Sequence, residues 1–78
     1  MHAVLLGKVR RSGTSRSGKP YDFTACSVSY SAFGVEGVQV SEVLVDARMV
    51  SFDALNVGDH YDFDYDGNGN LLNVFIED

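Results

Sequence analysis

The chain has 78 residues, 45% of them hydrophobic and 22% charged, with a formal net charge of -5. That length leaves room for a single domain over residues 1–78 with one core, and the composition is that of a folded chain, not a disordered one. The lone cysteine, Cys26, excludes an intrachain disulfide and a Cys/His zinc cluster, and the apolar run 1–7 is too short to span a bilayer and lacks a signal-peptide pattern, so a cytoplasmic protein is expected.

Taken in chain order, the periodicity is mostly two, which favours strands. Residues 2–10 (HAVLLGKVR) are apolar early and basic late, and predict a strand leaving the core. Residues 11–20 (RSGTSRSGKP) hold glycine, serine and proline but no apolar side chain, which is loop chemistry. Residues 21–31 (YDFTACSVSYS), rich in aromatic and β-branched types, predict the returning strand of a hairpin with a basic tip. A third strand is expected over 35–45, with Gly34 and Gly37 near its start as turn or bulge positions.

The segment 46–58 is ambiguous; Ser51 to Leu55 would suit one helical turn capped by Ser51. Residues 59–66 alternate most cleanly, with Tyr61, Phe63 and Tyr65 on one face and His60, Asp62 and Asp64 on the other. Gly67-Asn68-Gly69-Asn70 supplies a tight turn, and 71–77 predicts a last strand that groups Leu72, Val74 and Ile76. Five short strands predict an all-β fold: a small five-stranded OB-like barrel with a protruding basic hairpin loop, or an SH3-like barrel, which strand count alone does not separate. A domain of this size without staples makes association the expected extra support, as a homodimer.

The charge is unevenly spread. Lys8, Arg10, Arg11, Arg16 and Lys19 are five of the six basic residues, and no acid occurs before Asp22. From Asp22 onward there are eleven acids and only Arg48. Such asymmetry marks a localised electrostatic footprint.

Single strands are held by cations that track phosphates and by aromatic rings that stack on bases. Arg11, Arg16 and Lys19 supply the first part, with Lys8 and Arg10 adding charge, and Tyr21 and Phe23 supply the second from one face of the following strand. Ser12, Ser15 and Ser17 offer hydrogen bonds to phosphate, and Gly13 and Gly18 permit close backbone approach. The competing readings are a solvated hairpin tip for the charges, and core or rim packing for the two aromatics.

The stretch Arg11-Ser12-Gly13-Thr14-Ser15-Arg16-Ser17-Gly18-Lys19-Pro20-Tyr21 resembles the DNA-binding wing of the filamentous-phage gene V single-stranded-DNA-binding proteins, which carry Arg-Ser-Gly, then Ser-Arg, then Gly-Lys-Pro-Tyr at this spacing. The resemblance implies a homodimeric OB-like protein that coats single-stranded DNA during phage replication without strong sequence preference, with RNA left open. It assigns DNA contact to Arg11, Arg16, Lys19 and Tyr21, places Phe23 at an apolar contact position, and sets Tyr30 one position from a second family tyrosine. The chain departs from the family in its shorter, acidic C-terminal turn at Asp64–Asn70 and in having only Arg48 as a cation in its second half.

Other signals carry less. Asp64 to Gly69 resembles the start of an EF-hand loop, but Phe75 stands where the bidentate carboxylate belongs. Gly13 and Gly18 lack the spacing of a phosphate-binding loop, and Cys26 reads as a small buried hydrophobe. His2 and His60 have no evident partner, so no catalytic residue, metal, cofactor or small-molecule substrate is expected. Asp59, Asp62, Asp64, Asp66, Glu77 and Asp78 read as a solvated face. The alternative function is a small interaction or regulatory module whose basic loop docks on an acidic protein.

Overall fold

The computed structural model describes residues 1–77. Five strands form it: β1 (His2–Thr14), β2 (Pro20–Tyr30), β3 (Gln39–Asp46), β4 (His60–Tyr65) and β5 (Leu71–Glu77), with a single 3-10 turn at Phe52–Ala54 between β3 and β4. All pairings are antiparallel, in one open sheet of order β3-β2-β1-β4-β5. Among the described residues no helix is long and apolar enough to cross a membrane.

Alternation fixes which side chains go inward. Thr24, Cys26 and Val28 of β2, Val43 and Val45 of β3, Ala3 and Leu5 of β1, and Tyr61 and Phe63 of β4 are all buried, and Leu55 from beyond the 3-10 turn closes over them. Val43 and Val45 lie near one edge of the sheet, yet they share a cluster with Phe63, against which Leu71 and Val74 of the opposite edge also pack. One core therefore runs across the face of the sheet toward both edges.

Several boundaries differ from the sequence expectation. The segment 11–20 is not all loop: β1 continues to Thr14 and β2 starts at Pro20, so the turn is only Ser15–Lys19. Both faces of this distal stretch are solvated, so hydrophobic alternation had nothing to mark there. β3 begins at Gln39 because Gly34 and Gly37 take positive φ (79° and 90°), which breaks extended backbone before the strand.

The turn at Ser51 forms as a 3-10 turn, but the Ser51 side chain does not cap it; its carbonyl accepts from the Ala54 N–H instead. Tyr65 departs from Tyr61 and Phe63 in being exposed, after a register shift at Asp64/Tyr65. Of the expected trio on β5, only Val74 packs on the core; Leu72 (54% exposed) and Ile76 (61%) sit on an edge strand with no further neighbour to cover them. Asp78, read as part of the acidic face, lies outside the described residues.

Candidate nucleic-acid interface

One irregularity decides which cation meets the aromatic residues. β1 pairs with β2 in the order Val4–Ser29 and Leu5–Val28, then shifts by one to Gly7–Ser27, leaving Leu6 as the extra residue of a bulge. From there the register runs to Arg10–Thr24, Arg11–Phe23 and Gly13–Tyr21. Without the shift, Arg10 would stand opposite Phe23. Because directly opposed residues share a face, Arg11, Tyr21 and Phe23 lie together on the face away from the core, and Lys8 and Arg10 lie on the other.

Beyond Phe23 the hairpin has no third strand, since β3 ends at the Phe23–Asp46 pair and β4 meets only His2 to Val4 of β1. The distal part is thus a two-stranded ribbon closed by a tight turn. Ser15 N–H donates to the Lys19 carbonyl at 2.8 Å and Gly18 N–H to the Ser15 carbonyl at 2.9 Å, with Gly18 at φ 82°. The Ser15 hydroxyl pairs with that of Ser17 at 3.0 Å and accepts the Lys19 N–H at 3.2 Å, so these two serines build the turn.

The cations fall into two groups. Lys8 is held by the protein: its Nζ donates to the Phe52 carbonyl at 2.7 Å and lies 3.9 Å from the centroid of the Phe52 ring. Arg10 is held as well, donating through Nε and Nη2 to Asp22 at 3.0 and 2.7 Å. This hydrogen bonding holds the Asp22 carboxyl below the usual carboxylate range. Arg11, Arg16 and Lys19 make no ion pair among the described residues. Three unpaired cations therefore sit on the ribbon and its turn.

Tyr21 and Phe23 stand with ring centroids 5.8 Å apart and planes tilted by 37°, Tyr21 the more exposed at 43%. Tyr21 lies across Gly13, where even a Cβ would come within 2.9 Å of its hydroxyl oxygen. Tyr30, by contrast, is at the far end of β2, about 30 Å away at the rise of a strand, where it packs partly buried on the core. The structure does not bring it to the ribbon.

A cation that sequence reasoning set apart does arrive there. The Ala47 N–H donates to the Asp22 carbonyl at 3.1 Å, extending the β2–β3 ladder past Asp46 and placing Arg48 beside the aromatic pair. Pro20, Tyr21, Phe23, Asp46, Ala47 and Arg48 line a shallow groove of about 420 Å³. Asp46 accepts from Arg48 Nε (3.2 Å), Nη2 (2.9 Å) and backbone N–H (2.8 Å), and these bonds lower its pKa to about 2. Only pairing across the sheet, with no local motif, could have revealed this position for Arg48.

Elsewhere the polar groups serve the fold. Asp66 accepts the N–H groups of Asn68 and Asn70 at 2.8 and 2.9 Å and so shapes the last turn. His2, Asp62 and Glu77 place ligand-type atoms within 4.8 Å of one another, but Asp62 is bonded to the Met1 ammonium at 3.0 Å and Glu77 to His2. Those pairings account for the grouping. Cys26 is fully buried, which pushes its thiol pKa up, away from nucleophilic chemistry.

No family model matches this chain, and no curated protein or solved structure matches it.

Proposed function

We propose that this protein binds single-stranded DNA without strong sequence preference, in the manner of the gene V-type proteins its ribbon sequence resembles, coating the strand stoichiometrically in the host cytoplasm during phage DNA replication. The observation that carries this reading is the juxtaposition on one face of Arg11 with Tyr21 and Phe23, on a ribbon whose turn adds Arg16 and Lys19. Unpaired cations fit phosphates, and exposed rings fit unstacked bases, each stack contributing about 1–3 kcal/mol. The acids that dominate the rest of the chain keep a coated strand soluble and turn bound DNA toward the ribbon.

The finer architecture belongs to the same proposal. The order β3-β2-β1-β4-β5 would become a ring if β3 met β5, and the core shared between the two edges favours an OB-type barrel. The homodimer is favoured by apolar side chains left in solvent: Val9 and Leu44 flank Ala25 on the outer face, both about half exposed, and Ile76 and Leu72 line an edge.

Titration of the tyrosine fluorescence with oligothymidine, at low and moderate salt, tests the function. Saturable quenching that weakens with salt and in Arg16→Ala is the expected result. Absence of binding at low salt would overturn the proposal and direct the search to an acidic protein partner for the ribbon.

A further inference from the structure

We propose that the groove beside the ribbon is a slot for one guanine base of the bound strand, stacked on Tyr21 and Phe23, with its O6/N7 edge read by the Arg48 guanidinium that Asp46 holds in place. This rests on the DNA-binding reading above and adds a preference to it at one position.

The concavity comes first. The groove is open, about 420 Å³, lined by Pro20 and the two rings on β2 and by Asp46, Ala47 and Arg48 beside them at the end of β3. A flat base finds a stacking partner on one side and hydrogen-bonding groups at its edge. Because the ring centroids are 5.8 Å apart, a two-ring purine covers more of the pair than a pyrimidine does.

The hydrogen-bonding pattern then selects among purines. Arg48 engages Asp46 side-on, through Nε and Nη2, which leaves the Nη1/Nη2 end of the fork free, and its side chain is 91% exposed. That end presents two parallel N–H donors. Guanine offers two adjacent acceptors, O6 and N7, to such a fork, whereas adenine sets an amino donor beside N7 and is repelled.

Charge argues for a base over a phosphate as the partner of Arg48. Asp46 already neutralises the guanidinium, and its carboxylate would repel a phosphate lodged beside it. Asp46 stays ionised throughout the neutral range, so the pair persists there. An uncharged acceptor pair loses nothing by that neutralisation, and a guanidinium already held by two hydrogen bonds gives up less freedom on binding.

The experiment measures affinities by fluorescence anisotropy for short oligothymidines carrying one central dG, dA, dC or 7-deaza-dG, which avoids guanine self-association. The dG strand is expected to bind about fivefold tighter than the dA strand, at the lower end for a bidentate contact because the site is exposed. The 7-deaza-dG strand, lacking N7, should fall to the dA level. Arg48→Lys keeps the charge but loses the fork; whatever its affinity for plain oligothymidine, it should show no difference between dG and dA. Equal binding of dG and dA by the parent protein would overturn the slot while leaving the DNA-binding reading intact, as would a dG preference that survives in Arg48→Lys. Failure to bind any strand would overturn both.

Discussion

The Tyr21 ring lies across the Cα of Gly13, its directly opposed partner on β1, so closely that a Cβ at residue 13 would stand 2.9 Å from the tyrosine oxygen and 3.2 Å from Cζ. Glycine here is a matter of space for the ring. Gly13→Ala should push Tyr21 off its present position while leaving the core untouched. Oligonucleotide affinity is expected to fall in the direction of Tyr21→Ala, which removes about 1–3 kcal/mol of stacking, but by less. Unchanged thermal unfolding beside weakened binding would separate this from a folding defect.

The core makes a second prediction. Phe63 is fully buried at the centre of the cluster, and Phe63→Ala should cost about 3–5 kcal/mol, most of the stability a domain of this size possesses. Thr24 acts in the opposite sense. Its hydroxyl is buried without a hydrogen-bond partner among the described residues, and Thr24→Val should raise stability by about 1 kcal/mol. Urea unfolding of both variants checks the signs.

Acid should destabilise the fold in a defined window. Asp46 titrates near 2 because Arg48 hydrogen-bonds it, and Asp22, Asp62 and Asp66 are lowered from 3.8 by Arg10, by the Met1 ammonium and by the Asn70 and Asn68 N–H groups respectively. Each folded-state pKa lies below its unfolded value, so the unfolded chain binds more protons between the two. Each contribution is therefore present above the unfolded value of 3.8 and is lost as pH falls through the folded one, which is about 2 for Asp46. Unfolding temperature measured from pH 7 to pH 2 should stay level as far as these four groups set it and then drop through that window.

What the sequence showed, and what it hid, follows from where the signals originate. Strand number, the shared face of Tyr61 and Phe63, and the burial of Cys26 were legible because in β4 and the middle of β2 one face packs on the core. The ribbon's extent was not, because Arg11 to Thr14 is exposed on both faces and carries no alternation. Arg10 and Arg11 were indistinguishable neighbours until the bulge at Leu6 set Arg11 opposite Phe23 and left Arg10 to Asp22. Arg48 was invisible as a site residue for a related reason: the contact joins β3 to β2 across more than 20 residues of chain, and nothing local announces it.

The salt dependence of binding tests the central claim most directly. Neutralising a phosphate on a single strand contributes a slope of about -0.7 in log affinity against log salt. The triple change Arg11→Ala, Arg16→Ala, Lys19→Ala should therefore flatten the slope for oligothymidine by about 2, because these three cations on the ribbon make no ion pair among the described residues. The paired change Arg10→Ala, Asp22→Ala removes an ion pair of no net charge and should leave the slope as it is. A triple variant that keeps the parent slope, or a parent protein whose affinity does not depend on salt, would contradict the assignment of the ribbon as the DNA-binding surface.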